Sequence, residues 1–65
     1  MKHFKTEYVF VWTYRNPNSN ISYTKTAKFN TEIERNKFAL EWFAKSKYGE
    51  IILEYAQEQD LKTWK

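Results

Sequence analysis

Residues 7–15 read EYVFVWTYR. Along an extended strand, side chains alternate between faces, so Tyr8, Phe10, Trp12 and Tyr14 share one face and Val9, Val11 and Thr13 the other. β-Branched and aromatic residues at a period of two predict a strand over Phe4 to Tyr14. A run that is apolar on both faces suits the centre of a sheet. The fold then turns on which face carries the core.

The segments that follow supply the partners. Arg15-Asn16-Pro17-Asn18-Ser19-Asn20 is dense in turn formers: Pro17 holds φ, and Asn and Ser bond back to nearby backbone. Residues 21–29, ISYTKTAKF, alternate again and predict a second strand, hence a hairpin. Thr31-Glu32-Ile33-Glu34 matches a capping box and opens a helix. Glu32 and Glu34 in its first turn and Lys45 and Lys47 in its last complement the helix dipole, and Gly49 is a natural stop. Residues 50–56, EIILEYA, predict a short third strand; a second helix is the competing reading, because Leu, Glu and Ala are good helix formers. Residues 57–65, QEQDLKTWK, read as a polar C-terminal tail in which Leu61 and Trp64, three apart, suit one helical turn.

The expected architecture is a small single α+β domain, ββαβ over residues 1–56, followed by the tail at 57–65. A right-handed crossover through the helix gives a three-stranded antiparallel sheet in order 2-1-3, with the helix on one face. Pairing Tyr14 near Ile21 and Trp12 near Tyr23 puts Ile21, Tyr23, Ala27 and Phe29 on the aromatic side, with Lys25 the polar intruder. Strand three adds Ile51, Leu53 and Tyr55. A slip of one residue would mix apolar and polar sets, so this register is favoured. The aromatic side is thus expected to be core and not an open platform for stacking bases. Val9, Val11, Thr13, Ser22, Thr24, Thr26, Lys28, Ile52 and Glu54 then form the outer surface. At about 100° per residue, Ile33, Asn36, Leu40, Phe43 and Ala44 share one helical stripe. That stripe is expected to meet the sheet, which leaves Phe38 and Trp42 on the far side of the helix.

Composition narrows the function classes. The chain has 65 residues, 20% aromatic, with no Cys, one His and one Gly. Without Cys there is no disulfide and no thiolate zinc site. One Gly cannot build a phosphate cradle, and His3 has no nucleophile near it in sequence. No enzymatic activity, cofactor or metal is expected. Glu54, Glu58 and Asp60 read as a solvated acidic face. The net charge is +3, unevenly spread: residues 1–30 hold five basic residues and one acid, +4, while residues 31–65 hold six against seven, −1. No apolar run approaches the roughly 20 residues of a membrane span. The N-terminal MKHFKTEY lacks a signal-peptide core, so a cytoplasmic location is expected.

These features point to a small non-enzymatic module that binds another protein, or a second copy of itself as a homodimer. Phe38, Trp42, Leu61 and Trp64 are the expected contact residues, since tryptophan at an exposed helical site is a typical hot spot. The competing reading is that the tail folds back and covers Phe38 and Trp42. Small size and frequent Asn and Lys suit a phage or mobile-element accessory protein that inhibits or modulates a host protein. One alternative is nucleic-acid binding by a basic hairpin, with Lys5, Arg15, Lys25 and Lys28 on phosphates. Another is a structural subunit of a larger assembly.

Overall fold

The computed structural model describes residues 4–64, Trp64 through its backbone alone; His3 and Lys65 lie outside the described residues. Four elements follow one another: β1 (Phe4–Arg15), β2 (Ser22–Phe29), α1 (Glu32–Lys47) and β3 (Ile52–Trp64). The strands form one antiparallel sheet in order β2-β1-β3, with the helix on one face. The chain is therefore a small α+β fold with β1 at its centre, as its apolar composition on both faces predicts.

The hairpin turns over residues 16–21. Ser19 N donates to Asn16 O at 3.0 Å, Ile21 N to Ser19 Oγ at 3.1 Å, and Arg15 Nη1 to Ser19 O at 3.1 Å. This loop is longer than the pairing of Tyr14 with Ile21 would allow. Tyr14 instead faces Tyr23 and Trp12 faces Lys25, a shift of two residues. Two residues are one full period of the pleat, so the side chains keep their faces. Tyr8, Phe10, Trp12 and Tyr14 do lie on the helix side.

β3 departs from expectation. Residues 57–64 form neither a loose tail nor a helical turn; they continue the strand until Trp64 pairs with Phe4. β1 offers a free edge along its whole length, and pairing there satisfies every second backbone group. A lone helical turn would have to meet the cost of nucleation without propagation. A bulge interrupts the ladder: Tyr14 faces Leu53 and Thr13 faces Tyr55, with Glu54 the extra residue. The bulge reverses the alternation. Tyr55, expected in the core, faces outward, and Ala56 takes the place opposite Trp12.

The helix ends match the sequence in the Thr31 half of the expected capping box and in the Gly49 stop. Thr31 Oγ1 accepts from Glu34 N at 3.2 Å, Tyr48 N donates to Ala44 O at 3.1 Å, and Gly49 takes φ +80°. Its orientation is the reverse of the expected one. The buried residues are Arg35 and Ala39, flanked by Phe38 and Trp42 packed on Phe10 and Trp12. Ile33, Leu40 and Phe43 are exposed, although Phe43 keeps an edge contact with the Phe10 ring at 6.1 Å. The physical reason is ring surface. Phe38 meets Trp12 edge-on at 5.2 Å and Phe29 at 5.2 Å, while Trp42 lies 4.9 Å from Trp12 and 4.6 Å from Tyr14. Such aromatic pairs contribute about 0.5–1.5 kcal/mol each beyond burial of area. Ala39, only 1% exposed, has no bulk to hold the helix away from the sheet.

The molecule is elongated, 52 × 21 × 11 Å, with a radius of gyration of 14.2 Å, where a compact chain of this length has about 11 Å. The cause is that β2 ends opposite Tyr8, while β1 and β3 run on as a two-stranded arm, residues 4–7 with 61–64.

Two outcomes follow from this packing. Ala39→Asp buries a charge between helix and sheet and abolishes cooperative unfolding in urea; Leu40→Asp, one residue away, changes stability in dilute solution by about 1 kcal/mol or less. Because two-stranded ribbons are marginal alone, amide exchange in the arm should be much faster than at Val9–Thr13, as read by NMR.

Candidate functional site

The exposed apolar surface of the helix is built by the packing just described. Phe38 leans toward β2 through Phe29, whereas Arg35 and Ser46 lean toward β3. Ser46 Oγ accepts from Leu53 N at 3.4 Å, and Arg35 pairs with Asp60. With that face committed, Ile33 and Leu40 fall on the side of the helix turned away from the sheet, and Phe43 lies at its margin, in edge contact with Phe10. Ile33 is 74% exposed, Leu40 66% and Phe43 43%. Among the described residues the structure encloses no pocket.

On the sheet-facing side of the helix, near its N-terminal end, sits a buried cation. Arg35, 5% exposed, pairs through Nη1 with Asp60 and through Nη2 with Glu58 and Glu32, both at 3.7 Å. Its Nε and Nη2 also donate to Asn36 Oδ1 at 3.2 and 3.1 Å, and its guanidinium lies 5.7 Å from the Tyr8 ring centroid. One guanidinium thus faces three carboxylates, a surplus of two formal negative charges. The three carboxylate side chains are partly exposed, so water shares in holding them. The opposite end of the helix carries Lys45 and Lys47. Lys45 Nζ sits 4.9 Å from the Trp42 ring.

The expected acidic face is therefore divided. Glu58 and Asp60 clasp the helix, while Glu54 lies on the outer surface with Arg15 and Ser22. Arg15 Nε donates to Glu54 Oε1 at 3.1 Å and Ser22 Oγ to Glu54 Oε2 at 2.9 Å. These two bonds, the Arg15 one foremost, hold the Glu54 pKa below the usual carboxylate value.

The residues expected at a protein contact do not come together. Phe38 and Trp42 belong to the core layer and are not an exposed pair. The segment carrying Leu61 and Trp64 does not fold over them. Leu61 faces Glu7 on the outer side of the arm, and Trp64 pairs with Phe4 at the far end of β1 from the Trp42–Tyr14 contact; the Trp64 side chain lies outside the described residues. The basic residues are divided as well. Lys5, Arg15 and Lys28 share the outer face, whereas Lys25 stands on the helix side, 6.0 Å from the Tyr14 ring. Arg15 is paired with Glu54, and Lys28 Nζ is 3.8 Å from Glu7.

The rest of the outer face is tied together by its own side chains. Thr13 and Thr24 share a hydroxyl hydrogen bond of 2.9 Å, and Tyr55 OH donates to Gln57 Oε1 at 2.6 Å. Val9, between Lys28 and Gln59, is buried. The row Ile33–Leu40–Phe43 is legible in sequence as an apolar stripe but is assigned there to the core. The signals for the true orientation are Phe38-Ala39-Trp42, two rings about a small residue, and the Glu32–Arg35 spacing of an i, i+3 ion pair.

No protein-family model, curated protein or solved structure matches this chain. No helix among the described residues is long and apolar enough to cross a membrane.

A carboxyl whose pKa falls on folding stabilises the fold above its ordinary pKa and loses that contribution as the pH drops through the lowered one. Arg15→Gln removes the main cause. The Glu54 side-chain carboxyl, followed by NMR, should then titrate higher, and the pH dependence of unfolding through the carboxylate range should flatten.

Proposed function

We propose that this domain is a non-enzymatic cytoplasmic module that binds another protein chain through the helix flank formed by Ile33, Leu40 and Phe43. The observation that carries the reading is the exposure of these three large side chains in one row. Scattered apolar residues on a surface need no explanation, but three large ones along one side of a helix are the pattern of an interaction site. The cost is notable in so small a domain, whose buried apolar residues, among those described, are Val9, Phe10, Trp12, Ala39 and Ile51. An amphipathic helix face at this spacing is a common recognition element. Phe43 and Leu40 would supply the apolar centre of the contact, and the charges at the two ends of the helix its rim and orientation.

The test is photocrosslinking in living cells. p-Benzoylphenylalanine replacing Leu40 should give discrete protein adducts. The same amino acid replacing Thr26, on the other side of the sheet, should give none. Absence of any protein adduct from position 40, or equal yields from both positions, would overturn the reading.

A further inference from the structure

We infer that the free edge of β3 pairs with the same edge of a second copy, antiparallel about a two-fold axis at Leu61, so that two three-stranded sheets become one continuous sheet. This surface is separate from the helix flank of the proposed function and goes beyond it. Backbone, charge and shape each point to it.

β3 lies at the margin of the sheet and pairs with β1 alone. Every second N–H and C=O along it is therefore aimed away from the sheet. Near the start of the strand that edge is closed: Leu53 N donates to Ser46 Oγ at 3.4 Å, and the bulge at Glu54 bends the strand. Over residues 56–63, no hydrogen bond among the described residues reaches the outward main chain. The occupant that such a row of backbone groups fits is another strand.

Charge identifies that strand as a second copy and sets its register. Glu58, Asp60 and Lys62 share the helix side of β3, and Gln59 and Leu61 the outer side. Around Arg35 three carboxylates face one guanidinium, and the Glu58 and Asp60 side chains remain 45% and 48% exposed. Lys62, next on that side, is exposed and has no ion pair among the described residues. An axis at Leu61 sets Lys62 of each copy opposite Asp60 of the other, twice per dimer. Neighbouring registers are poorer. An axis at Gln59 opposes Glu58 to Asp60, and axes at Glu58, Asp60 or Lys62 oppose a charge to itself. An axis at Gln57 forms no opposite-charge pair and runs into the bulge. At Leu61 the leucine, 40% exposed, meets its own copy on the outer side. An isologous contact must be self-complementary in this way.

Shape agrees. Residues 4–7 and 61–64 form a two-stranded arm that runs on past β2, and such ribbons are marginal alone. Pairing about Leu61 lays each arm along β3 of the other copy. The axis stands perpendicular to the sheet, so both helices stay on one face.

Residues 58–64 of each copy make a small contact, so the dimer belongs to the weak, rapidly exchanging class. Sedimentation equilibrium of the full chain should show a mass rising from 8.0 kDa toward twice that value at high micromolar concentration. Added salt should shift the rise to higher concentration. Lys62→Glu turns both opposite-charge pairs into like-charge pairs and should weaken association about tenfold. Lys62→Arg should preserve it, and both variants should keep the circular dichroism of the wild type. Because the chain has no native Cys, Leu61→Cys should form an interchain disulfide on mild oxidation. Gln57→Cys, on the same face but about 27 Å from its own copy at 3.4 Å per residue, should not. Amides of the arm, fast to exchange in the monomer, should slow as concentration rises.

A wild-type mass fixed at 8.0 kDa at all concentrations would overturn the inference and leave Lys62 as a charge that keeps sheet edges apart. A dimer indifferent to Lys62→Glu, or one crosslinked through Gln57→Cys, would overturn it too. A dimer dissolved by Leu40→Asp and not by Lys62→Glu would move the second copy to the helix flank. Crosslinking from position 40 to a different protein bears on the proposed function alone.

Discussion

Phe10 and Trp12 stack at 5.1 Å on the central strand, and both are almost completely shielded from water. Everything else in the structure is arranged to achieve that shielding. With 65 residues and no disulfide, the domain has one helix with which to cover one sheet face. The helix must therefore bring its largest apolar area to those two rings. Phe38 and Trp42 do this, and Ala39 between them allows a close approach. The Trp12 Nε1 hydrogen is buried without an acceptor among the described residues, a penalty of about 1–3 kcal/mol that the burial of the ring must outweigh.

Turning that face inward fixes the fate of two other groups of residues. Arg35 rotates inward with Phe38 and Ala39, and a buried guanidinium is tolerated only where it is paired. β3 meets that need because it continues past Ala56 and carries Glu58 and Asp60 along the helix side. The clasp is thus a consequence of the aromatic packing. The second group, Ile33, Leu40 and Phe43, is left on the flank. A buried, paired guanidinium and an exposed apolar stripe arise on different sides of α1 from the same choice of helix face.

Much of the fold is legible in local patterns. The alternation of EYVFVWTYR, the turn formers at 16–20, the Thr31 cap and the Gly49 stop each depend on a few neighbouring residues. So does the choice of face for β1, because a one-residue slip would exchange every side chain. The helix face is not legible in this way. Two stripes, Ile33–Leu40–Phe43 and Phe38–Ala39–Trp42, both have helical spacing. Counting apolar residues favours the first, and Arg35 and Ser46 argue against the second. What reverses the choice is distant in sequence: rings at 10, 12, 14 and 29, carboxylates at 58 and 60, and the Leu53 amide. The predicted contact residues Phe38 and Trp42 were misplaced for that reason, and the basic set was divided by the alternation of the strands.

The sequence by itself determined the order ββαβ, the central place of β1, the antiparallel 2-1-3 sheet and the aromatic side as core. These rest on periodicity and capping, which act over a few residues. Only the tertiary structure decided how far β3 runs, where its bulge turns Tyr55 outward, and which side of α1 meets the sheet. Each of those outcomes is a competition between alternatives of similar local propensity. It is settled by contacts between segments more than 20 residues apart, of which Arg35 with Asp60 and Trp12 with Trp42 are the clearest.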